Sequence, residues 1–443
     1  MLVVSILSYI LYTGALAGLA CSYTFWADNR ALLYVLIPVF VFINLFAGAG
    51  LCKSRRFRLR ICQHGAALLI AFEFSLVIAL VYHGVMAYRI LPEDYSTFIR
   101  SAVTCLVVEL IVFWNGIICV YLTSLQLGIW QRIVGAVCGM IPVVNLVMMN
   151  SIVLTALKEV QQEGKKEKIN RSRKHQQLCK TKYPILLVHG VFFRDTKYFN
   201  YWGRIPKELQ YHGASVYYGN HQSAAAIATS AQELLERVKQ ITEETGCEKV
   251  NIIAHSKGGL DCRYAIDKLG MGQYVASLTT LNTPHRGCIF ADRLLQQIPG
   301  EYQEKIAKRY NDMMRKIGDH DPDFLAAVGD LTASACEKFN QEITYVPEDI
   351  YCQSVGSLLE MARSGRFPLN VSYHLVKMYD GENDGLVSES SFPWGEKYTL
   401  LTPTWKQGIS HSDMTDMNRR NLKDFDVREF YVQLVSQLRQ RGL

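Results

Sequence analysis

Long apolar stretches dominate the first 157 residues of the chain. The first of these stretches could instead be a leader that is cleaved near Cys21. No Lys or Arg precedes that stretch, however, and the chain left after cleavage would still hold several spans. Each stretch reaches the about 20 apolar residues that a helix needs to cross a bilayer. The pattern predicts an α-helical transmembrane bundle over residues 1–157, built from stretches at roughly 2–26, 31–52, 65–87, 102–127 and 133–157.

Two basic segments predict the orientation of this bundle. Residues 53–60 hold five cations and no acid, and residues 158–182 hold nine cations against three Glu. The positive-inside rule places both on the cytoplasmic side. Three apolar stretches separate the two segments, so one of them must not cross fully. The stretch 133–157 contains Gly139, Pro142 and Asn145, which favour a broken or re-entrant helix. We expect four spans plus a hairpin, with a fifth span as the alternative.

Two acids lie inside the apolar stretches, Glu73 and Glu109. An intramembrane acid is a candidate for a transport role. Each lies near the start of its stretch, however, so its side chain could reach the nearer membrane interface. We expect the interfacial position for both.

The pattern changes after a basic linker over residues 158–180. Short apolar runs at 184–189, 215–218, 249–254 and 275–281 alternate with helical patterns near 204–212, 223–245 and 257–269. Nearly all-apolar strands that alternate with helices are typical of a parallel sheet covered on both faces. We predict an α/β domain over 181–443, interrupted by a mostly helical lid insertion at about 289–368. Aromatic and Met side chains of that insertion are candidates for an acyl pocket: Phe290, Tyr302, Met313, Met314 and Phe324.

The segment A-H-S-K-G-G, residues 254–259, directly follows the apolar run at 249–254. A serine exposed on a tight turn from strand to helix needs small residues two positions before and after it, and Ala254 and Gly258 meet that need. A serine that only caps the helix is the alternative. His189-Gly190 ends the first strand, and there the backbone N–H of Val191 could join that of Lys257 as an oxyanion hole.

A nucleophilic serine needs a base, and the base needs an acid that fixes its tautomer. In this architecture the chain order is Ser, acid, His. Asp384 lies in the turn D-G-E-N-D-G, after the strand-like run H-L-V-K-M-Y, and His411 is the only histidine after it. The predicted triad is Ser256, Asp384 and His411. Asp380 remains an alternative acid, and His285 an alternative base.

These residues carry a family resemblance. The chain from Thr181 onward resembles the secreted bacterial triacylglycerol lipases of the α/β-hydrolase fold, in the segments T-K-Y-P-I-L-L-V-H-G, Y-W-G-R-I-P, A-H-S-K-G-G, N-T-P-H-R-G, N-D-G-L-V-S and I-S-H-S-D. The resemblance implies the same triad and the same oxyanion donors. It also implies a structural calcium near the histidine in several relatives. Asp413 matches one ligand position, but Met417 stands where those lipases supply an amide oxygen. A thioether is a poor calcium ligand, so we predict no metal and no cofactor.

Composition narrows the remaining classes of function. A net charge of +7 without an aromatic and basic stripe argues against nucleic-acid binding. Twelve cysteines without C-x-x-C spacing argue against zinc and are typical of a reducing compartment. We predict a multi-pass protein of a bacterial plasma membrane whose cytoplasmic domain hydrolyses lipid acyl esters. An acyltransferase or phospholipase using the same triad, and a non-catalytic membrane sensor or transporter, are the alternatives.

Overall fold

A computed structural model describes residues 2–48, 51–90, 92–139, 141, 144–191, 200–402 and 406–443. The chain forms two compact units, Met1–Ser172 and Arg173–Leu443. The segment predicted as a linker, 158–180, is largely helical. The helix that begins at Val144 continues through it to Arg173. Lys, Glu and Gln are good helix formers, and they fill this segment.

The first unit consists of helices. Two of them, α4 and α5, are long and apolar enough to cross a membrane. They pack closely at Gly65, where a Cβ would lie 2.7 Å from the carbonyl oxygen of Gly116. Small residues of this kind let apolar helices approach each other. The helices are α1 (Leu2–Ala20), α2 (Tyr23–Trp26), α3 (Leu33–Phe46), α4 (Phe57–Arg89), α5 (Tyr95–Thr123), α6 (Ile129–Cys138) and α7 (Val144–Arg173).

The apolar stretch 133–157 is split between two helices. Helix α6 ends at Cys138 and α7 begins at Val144; Pro142, which we expected at the break, lies outside the described residues. Glu73 is half-exposed and accepts a hydrogen bond from Asn150 Nδ2 at 2.8 Å.

The interfacial position predicted for Glu109 is wrong. Its side chain is buried, with 3% of its surface exposed, and Ser75 Oγ donates to its Oε1 at 2.5 Å. Helix α5 already begins at Tyr95, so Glu109 lies about 21 Å along the helix. From that depth the carboxylate cannot reach the near end of α5.

The second unit contains the predicted parallel sheet. Within the described residues its six strands have the order β2-β1-β3-β4-β5-β6, and all neighbours are parallel. Strands β1, β3 and β4 are entirely buried, as the apolar runs predicted. The strands are β1 (Ile185–Val188), β2 (Val216–Tyr218), β3 (Val250–His255), β4 (Val275–Leu281), β5 (Tyr351–Ser357) and β6 (Lys397–Leu401).

Helices cover both faces of this sheet. Two separate apolar cores result, one below β1 and β3 against α8 and α16, the other against α9 and α10. The helices are α8 (Ile205–Tyr211), α9 (Ile227–Thr245), α10 (Lys257–Lys268), α11 (Ile289–Gln297), α12 (Gly300–Lys316), α13 (Phe324–Gly329), α14 (Ala333–Glu342), α15 (Leu369–Asp380) and α16 (Val427–Gln440).

Two sequence predictions in this unit are wrong. Strand β5, Tyr351–Ser357, lies inside the region assigned to the helical insertion 289–368, so the helical insertion ends before Tyr351. The run H-L-V-K-M-Y, expected as a strand, belongs to helix α15. Its helical character follows from Leu369, Tyr373 and Val376, which are buried at helical spacing.

Candidate active site

Ser256 lies in the turn between β3 and α10. Its backbone has φ 56° and ψ −132°, a conformation that L-residues rarely adopt. Gly258 makes the turn possible, because a Cβ there would lie 2.5 Å from the carbonyl oxygen of His189. The side chain of Ser256 makes no capping hydrogen bond to α10. The capping alternative therefore has no contact to support it, and strain held without a local partner is typical of functional positions.

The neighbouring strand holds the backbone of Ser256 from both sides. Ser256 N–H donates to the carbonyl oxygen of Leu281 at 2.9 Å. The hydroxyl of Thr283 donates to the carbonyl oxygen of Ser256 at 2.8 Å. The end of β4 thus holds the strained turn in place.

The Asp384 carboxylate is fully buried and accepts four hydrogen bonds. Its Oδ1 accepts from the backbone N–H groups of Leu386, at 2.9 Å, and Val387, at 2.8 Å. Its Oδ2 lies 2.6 Å from His411 Nδ1 and also accepts from Asn282 Nδ2. A carboxylate with this many donors is fixed in orientation.

Asn282 has a role that sequence reasoning missed. It directly follows β4 with φ 49°, and its Nδ2 donates to Ser357 Oγ at 2.8 Å as well as to Asp384. The motif N-T-P-H-R-G marks its position, but the motif gives no indication of a partner 102 residues away.

A second chain of hydrogen bonds connects the ends of β1 and β3 with the loop that carries His411. Gly190 N–H donates to Tyr201 Oη at 3.3 Å, and Tyr201 Oη lies 2.6 Å from His255 Nδ1. His255 Nε2 is 3.1 Å from the carbonyl oxygen of His411. Burial, together with His411 nearby, holds the pKa of His255 well below its usual value, so its ring is neutral. The neutral ring donates from Nε2 and accepts the Tyr201 hydroxyl at Nδ1.

The two alternative residues have other partners. Asp380 accepts the backbone N–H groups of Ile289 and Phe290 at 2.7 and 2.8 Å, so it caps α11. His285 Nε2 lies 3.0 Å from Thr280 Oγ1, and its ring stacks on Trp394. Burial and the nearby guanidinium of Arg263 hold the pKa of His285 well below its usual value.

The predicted oxyanion donors belong to two different elements near Ser256. Lys257 is the first residue of α10, where backbone N–H groups have no partner within the helix. Val191 follows Gly190, and a Cβ on Gly190 would lie 2.7 Å from Ser256 Cβ. Val191 is buried; the two phenylalanines that follow it in the motif lie outside the described residues.

Replacing Gly190 with alanine is expected to lower kcat by about 100-fold, with little change in KM. The added methyl group would overlap Ser256 Cβ and displace the loop that carries the Val191 N–H. Losing one oxyanion donor costs on the order of 100-fold to 1000-fold in kcat. Ester hydrolysis by the purified variant would measure the loss, with Gly164→Ala on α7, where an added Cβ has no atom within 4 Å, as the control of a Gly to Ala change. Wild-type kcat in the Gly190 variant would contradict this placement of the oxyanion hole.

The loop after His411 does not fit calcium. Asp413 Oδ2 already accepts the N–H of Ser410, at 3.0 Å, and its hydroxyl, at 2.6 Å. Met417 packs against the apolar core. No group of three or more His, Cys, Asp or Glu side chains suited to a metal occurs in the parts of the chain that the structure describes.

An ion pair anchors this loop instead. Asp416, fully buried at its side chain, accepts hydrogen bonds from Arg204 Nε and Nη2, both at 2.8 Å. Its Oδ2 also accepts the Arg204 N–H at 2.7 Å. Gly203 has φ 51°, and a Cβ there would overlap the backbone of Asp416. The segment Y-W-G-R-I-P therefore holds the His411 loop through a two-pronged guanidinium contact.

Arg204→Lys is expected to lower Tm by several degrees and kcat by about 10-fold. Lysine keeps the charge but cannot form the paired hydrogen bonds of the guanidinium, so the His411 loop would be less ordered. Thermal unfolding and ester hydrolysis measure the two effects. Lys207→Arg, on an exposed position of α8, is the matched control. An unchanged kcat at a lowered Tm would limit Arg204 to a structural role.

The candidate acyl-pocket residues differ in burial and in their contacts. Met314 is buried and accepts from Ser223 Oγ at 3.5 Å, whereas Tyr302 and Met313 are exposed on the same helix. Phe324 packs on Tyr310 with ring centroids 4.8 Å apart. An acyl pocket lined by this set stays a prediction.

The second unit is similar to lipases in sequence. A triacylglycerol lipase of Pseudarthrobacter phenanthrenivorans is 37% identical over 174 residues, covering 36% of this chain and 54% of the relative. A triacylglycerol lipase of Burkholderia plantarii is also 37% identical over 174 residues, covering 36% and 48%. One from Vibrio cholerae is 29% identical over 289 residues, covering 59% and 89%. The chain thus spans about half the length of the first two relatives and most of the third.

Two further comparisons concern family and fold. The sequence profile of the palmitoyl protein thioesterase family matches residues 184–320. The crystal structure of a Bacillus licheniformis lipase in its mature form resembles 58% of this chain and 92% of its own, at 20% identity and a TM-score of 0.44. Each of the three sequence relatives is named a triacylglycerol lipase. The parallel sheet with its serine turn is that of an α/β-hydrolase.

Proposed function

We propose that this protein is a membrane-anchored serine hydrolase that cleaves lipid acyl esters through Ser256, His411 and Asp384. The observation that carries the proposal is the 2.6 Å contact between His411 Nδ1 and Asp384 Oδ2. The same unit holds Ser256 on a strained turn, and the Ser256 side chain makes no capping hydrogen bond to α10. An oriented base and a serine held on such a turn are two of the features that a serine nucleophile needs.

The chemistry follows from the tautomer of His411. Because Nδ1–H donates to Asp384, Nε2 carries the lone pair that accepts the proton of Ser256 as its oxygen attacks the ester carbonyl. The backbone N–H groups of Val191 and Lys257 stabilise the resulting oxyanion. His411 then protonates the leaving alcohol, and the same steps with water release the acid and restore Ser256.

Lipid esters are the favoured substrates, and thioesters are the second candidate. The relatives named triacylglycerol lipases support an oxygen ester. The palmitoyl protein thioesterase profile over residues 184–320 favours an acyl thioester. Both substrates use the same attack and the same oxyanion and differ only in the leaving group.

Contacts inside the first unit support a common side for the two basic segments. Arg58 Nη1 lies 2.6 Å from Glu159 Oε1, and Arg56 Nη1 lies 3.1 Å from Glu163 Oε2. Glu159 also accepts the N–H groups of Leu125 and Gln126. The start of α4, the end of α5 and the basic part of α7 therefore lie at one end of the unit.

This arrangement supports four spans plus a hairpin. Helix α6 has ten residues, about 15 Å in length, whereas the hydrocarbon core is about 30 Å thick. If α6 and α7 form a hairpin that enters and leaves on the basic side, only two full crossings separate the two basic segments. Both segments can then lie on the same side of the membrane. The positive-inside rule then puts that side, and the catalytic unit that follows α7, in the cytoplasm.

Labelling with a fluorophosphonate tests the proposal. The detergent-solubilised full chain should be labelled on Ser256, as mapped by mass spectrometry, and the label should be absent after Ser256→Ala. Free fatty acid released from a triacylglycerol, and a slower release from an acyl thioester, are the expected products. Acyl groups recovered on an added alcohol would indicate an acyltransferase, and fatty acid from phospholipid alone would indicate a phospholipase. A wild-type chain without label or product would favour the sensor or transporter.

A further inference from the structure

A buried ion pair lies on the first turn of the helix that follows Ser256. Lys257 Nζ is 2.6 Å from Asp261 Oδ1, and both side chains are only 1% exposed. Lys257 Nζ also donates to Ser230 Oγ on α9 at 3.1 Å. Charged side chains are rarely buried so fully, and burying a pair costs about as much as its attraction returns. A pair retained here is therefore a candidate for a role other than stability.

Further contacts lead from this ion pair to the loop that follows β1. Asp261 Oδ2 lies 3.7 Å from His221 Nε2. The ring of His221 stacks on that of His189, with centroids 4.0 Å apart and planes 9° apart. His189 Nε2 is 3.1 Å from the carbonyl oxygen of His221, and its Nδ1 is 2.9 Å from that of Gly190. One contiguous set of contacts thus joins Lys257 to the residues directly before Val191.

We propose that Lys257, Asp261, His221 and His189 form a brace that fixes the distance between the two oxyanion donors. The donors come from separate elements, Val191 from the loop after β1 and Lys257 from the start of α10. Neither element alone sets their separation, whereas the brace contacts both. The inference rests on the proposed hydrolase function and assigns positioning residues to it.

The charges of the brace depend on one another. Burial raises the pKa of Asp261, the acids Asp330 and Glu233 act in the same direction, and the Lys257 ammonium lowers it. Removing the lysine therefore favours a protonated Asp261 with a weaker hold on His221. Substituting either partner alone changes both ends of the brace, so the pair must be tested together.

The test replaces the pair by apolar side chains. Single variants Lys257→Met and Asp261→Leu are expected to unfold at lower temperature, because each leaves a buried polar group without its partner. The double variant is expected to regain most of the wild-type Tm. Its kcat on a soluble short-chain ester should still be about 10-fold to 100-fold below wild type, since small displacements at a reacting centre have effects of this size. KM should remain unchanged.

A second readout separates positioning from structure. A trifluoromethyl ketone forms a tetrahedral adduct whose oxygen occupies the oxyanion hole, so its Ki should rise by the same factor as kcat/KM falls. Lys249→Met with Asp349→Leu, at an ion pair with an exposed partner, is the control and should change neither value. Wild-type kcat and Ki in the double variant would overturn the brace.

Ser230→Ala decides the question if the double variant does not fold. This variant removes the Ser230 contact of the ammonium and a longer one, at 3.4 Å, from Ser230 Oγ to the carbonyl oxygen of Gln222. It should lower kcat and weaken the ketone about threefold, an effect of under 1 kcal/mol, with a smaller loss of Tm than either single variant of the pair. Unchanged kinetics would overturn the brace. Failure of the proposed function gives a different result, because the wild-type chain would then neither hydrolyse the ester nor bind the ketone.

Discussion

Ser256→Ala is expected to lower kcat for ester hydrolysis by about 10⁴-fold or more, while KM and Tm stay close to wild type. Alanine cannot form the acyl-enzyme, and losing the nucleophile of such a triad removes nearly all catalysis beyond that of binding and the oxyanion hole. The Ser256 hydroxyl makes no capping contact with α10, so removing it should cost little stability. Alanine adopts the positive φ no less readily than serine.

The measurement compares initial rates of the two purified proteins on a soluble ester, with thermal unfolding of each. Ser436→Ala, on α16 and away from the site, is the matched control and should retain the wild-type rate. A Ser256 variant that keeps a tenth or more of the wild-type kcat would remove the serine from the mechanism.

The sequence was most informative where one pattern of apolar or small side chains continues along a whole element. Strands β1, β3 and β4 are apolar at nearly every position, because helices cover both faces of the sheet. Ser256 could be recognised from its small neighbours, since the tight turn excludes larger ones. His411 followed from chain order alone. All of these signals are local or depend only on order along the chain.

Strand β5 shows where this reasoning fails. Its sequence, Y-C-Q-S-V-G-S, carries polar side chains although it is buried. Gln353 Nε2 donates to Thr279 Oγ1 at 3.0 Å, and Ser354 Oγ donates to the carbonyl oxygen of Trp394 at 2.7 Å. Such partners make a buried polar residue tolerable, but they come from distant segments. A search for short apolar runs therefore misses this strand.

The supporting residues of the site were missed for the same reason. Asn282, Tyr201 and His255 act through partners 102, 54 and 156 residues away. Lys257 was predicted for its backbone N–H alone. Only the packing of α10 against α9 places that ammonium beside Ser230. Residues of this kind become visible once the carboxyl ends of the strands lie together.

Asp384→Asn is expected to lower kcat by about 10⁴-fold with KM nearly unchanged. Leu386 and Val387 donate two N–H groups to Oδ1, so asparagine must turn its carbonyl oxygen toward them. Its amide nitrogen then faces His411 Nδ1 and Asn282 Nδ2, where Oδ2 had accepted. His411 would have to accept at Nδ1 and carry its proton on Nε2, a tautomer that cannot take the proton of Ser256. A change of this kind costs about 10⁴-fold in kcat in a serine protease triad.

Steady-state hydrolysis measures this loss, and Asp380→Asn is the matched control. Asp380 caps α11 through two backbone N–H groups, so its substitution should cost about 1 kcal/mol of stability and less than about threefold in kcat. If Asp380→Asn lost the activity and Asp384→Asn kept it, Asp380 would be the acid. Because the two carboxylates lie four residues apart on one segment, a general disturbance of that segment would affect both variants, whereas the tautomer of His411 depends on Asp384 alone.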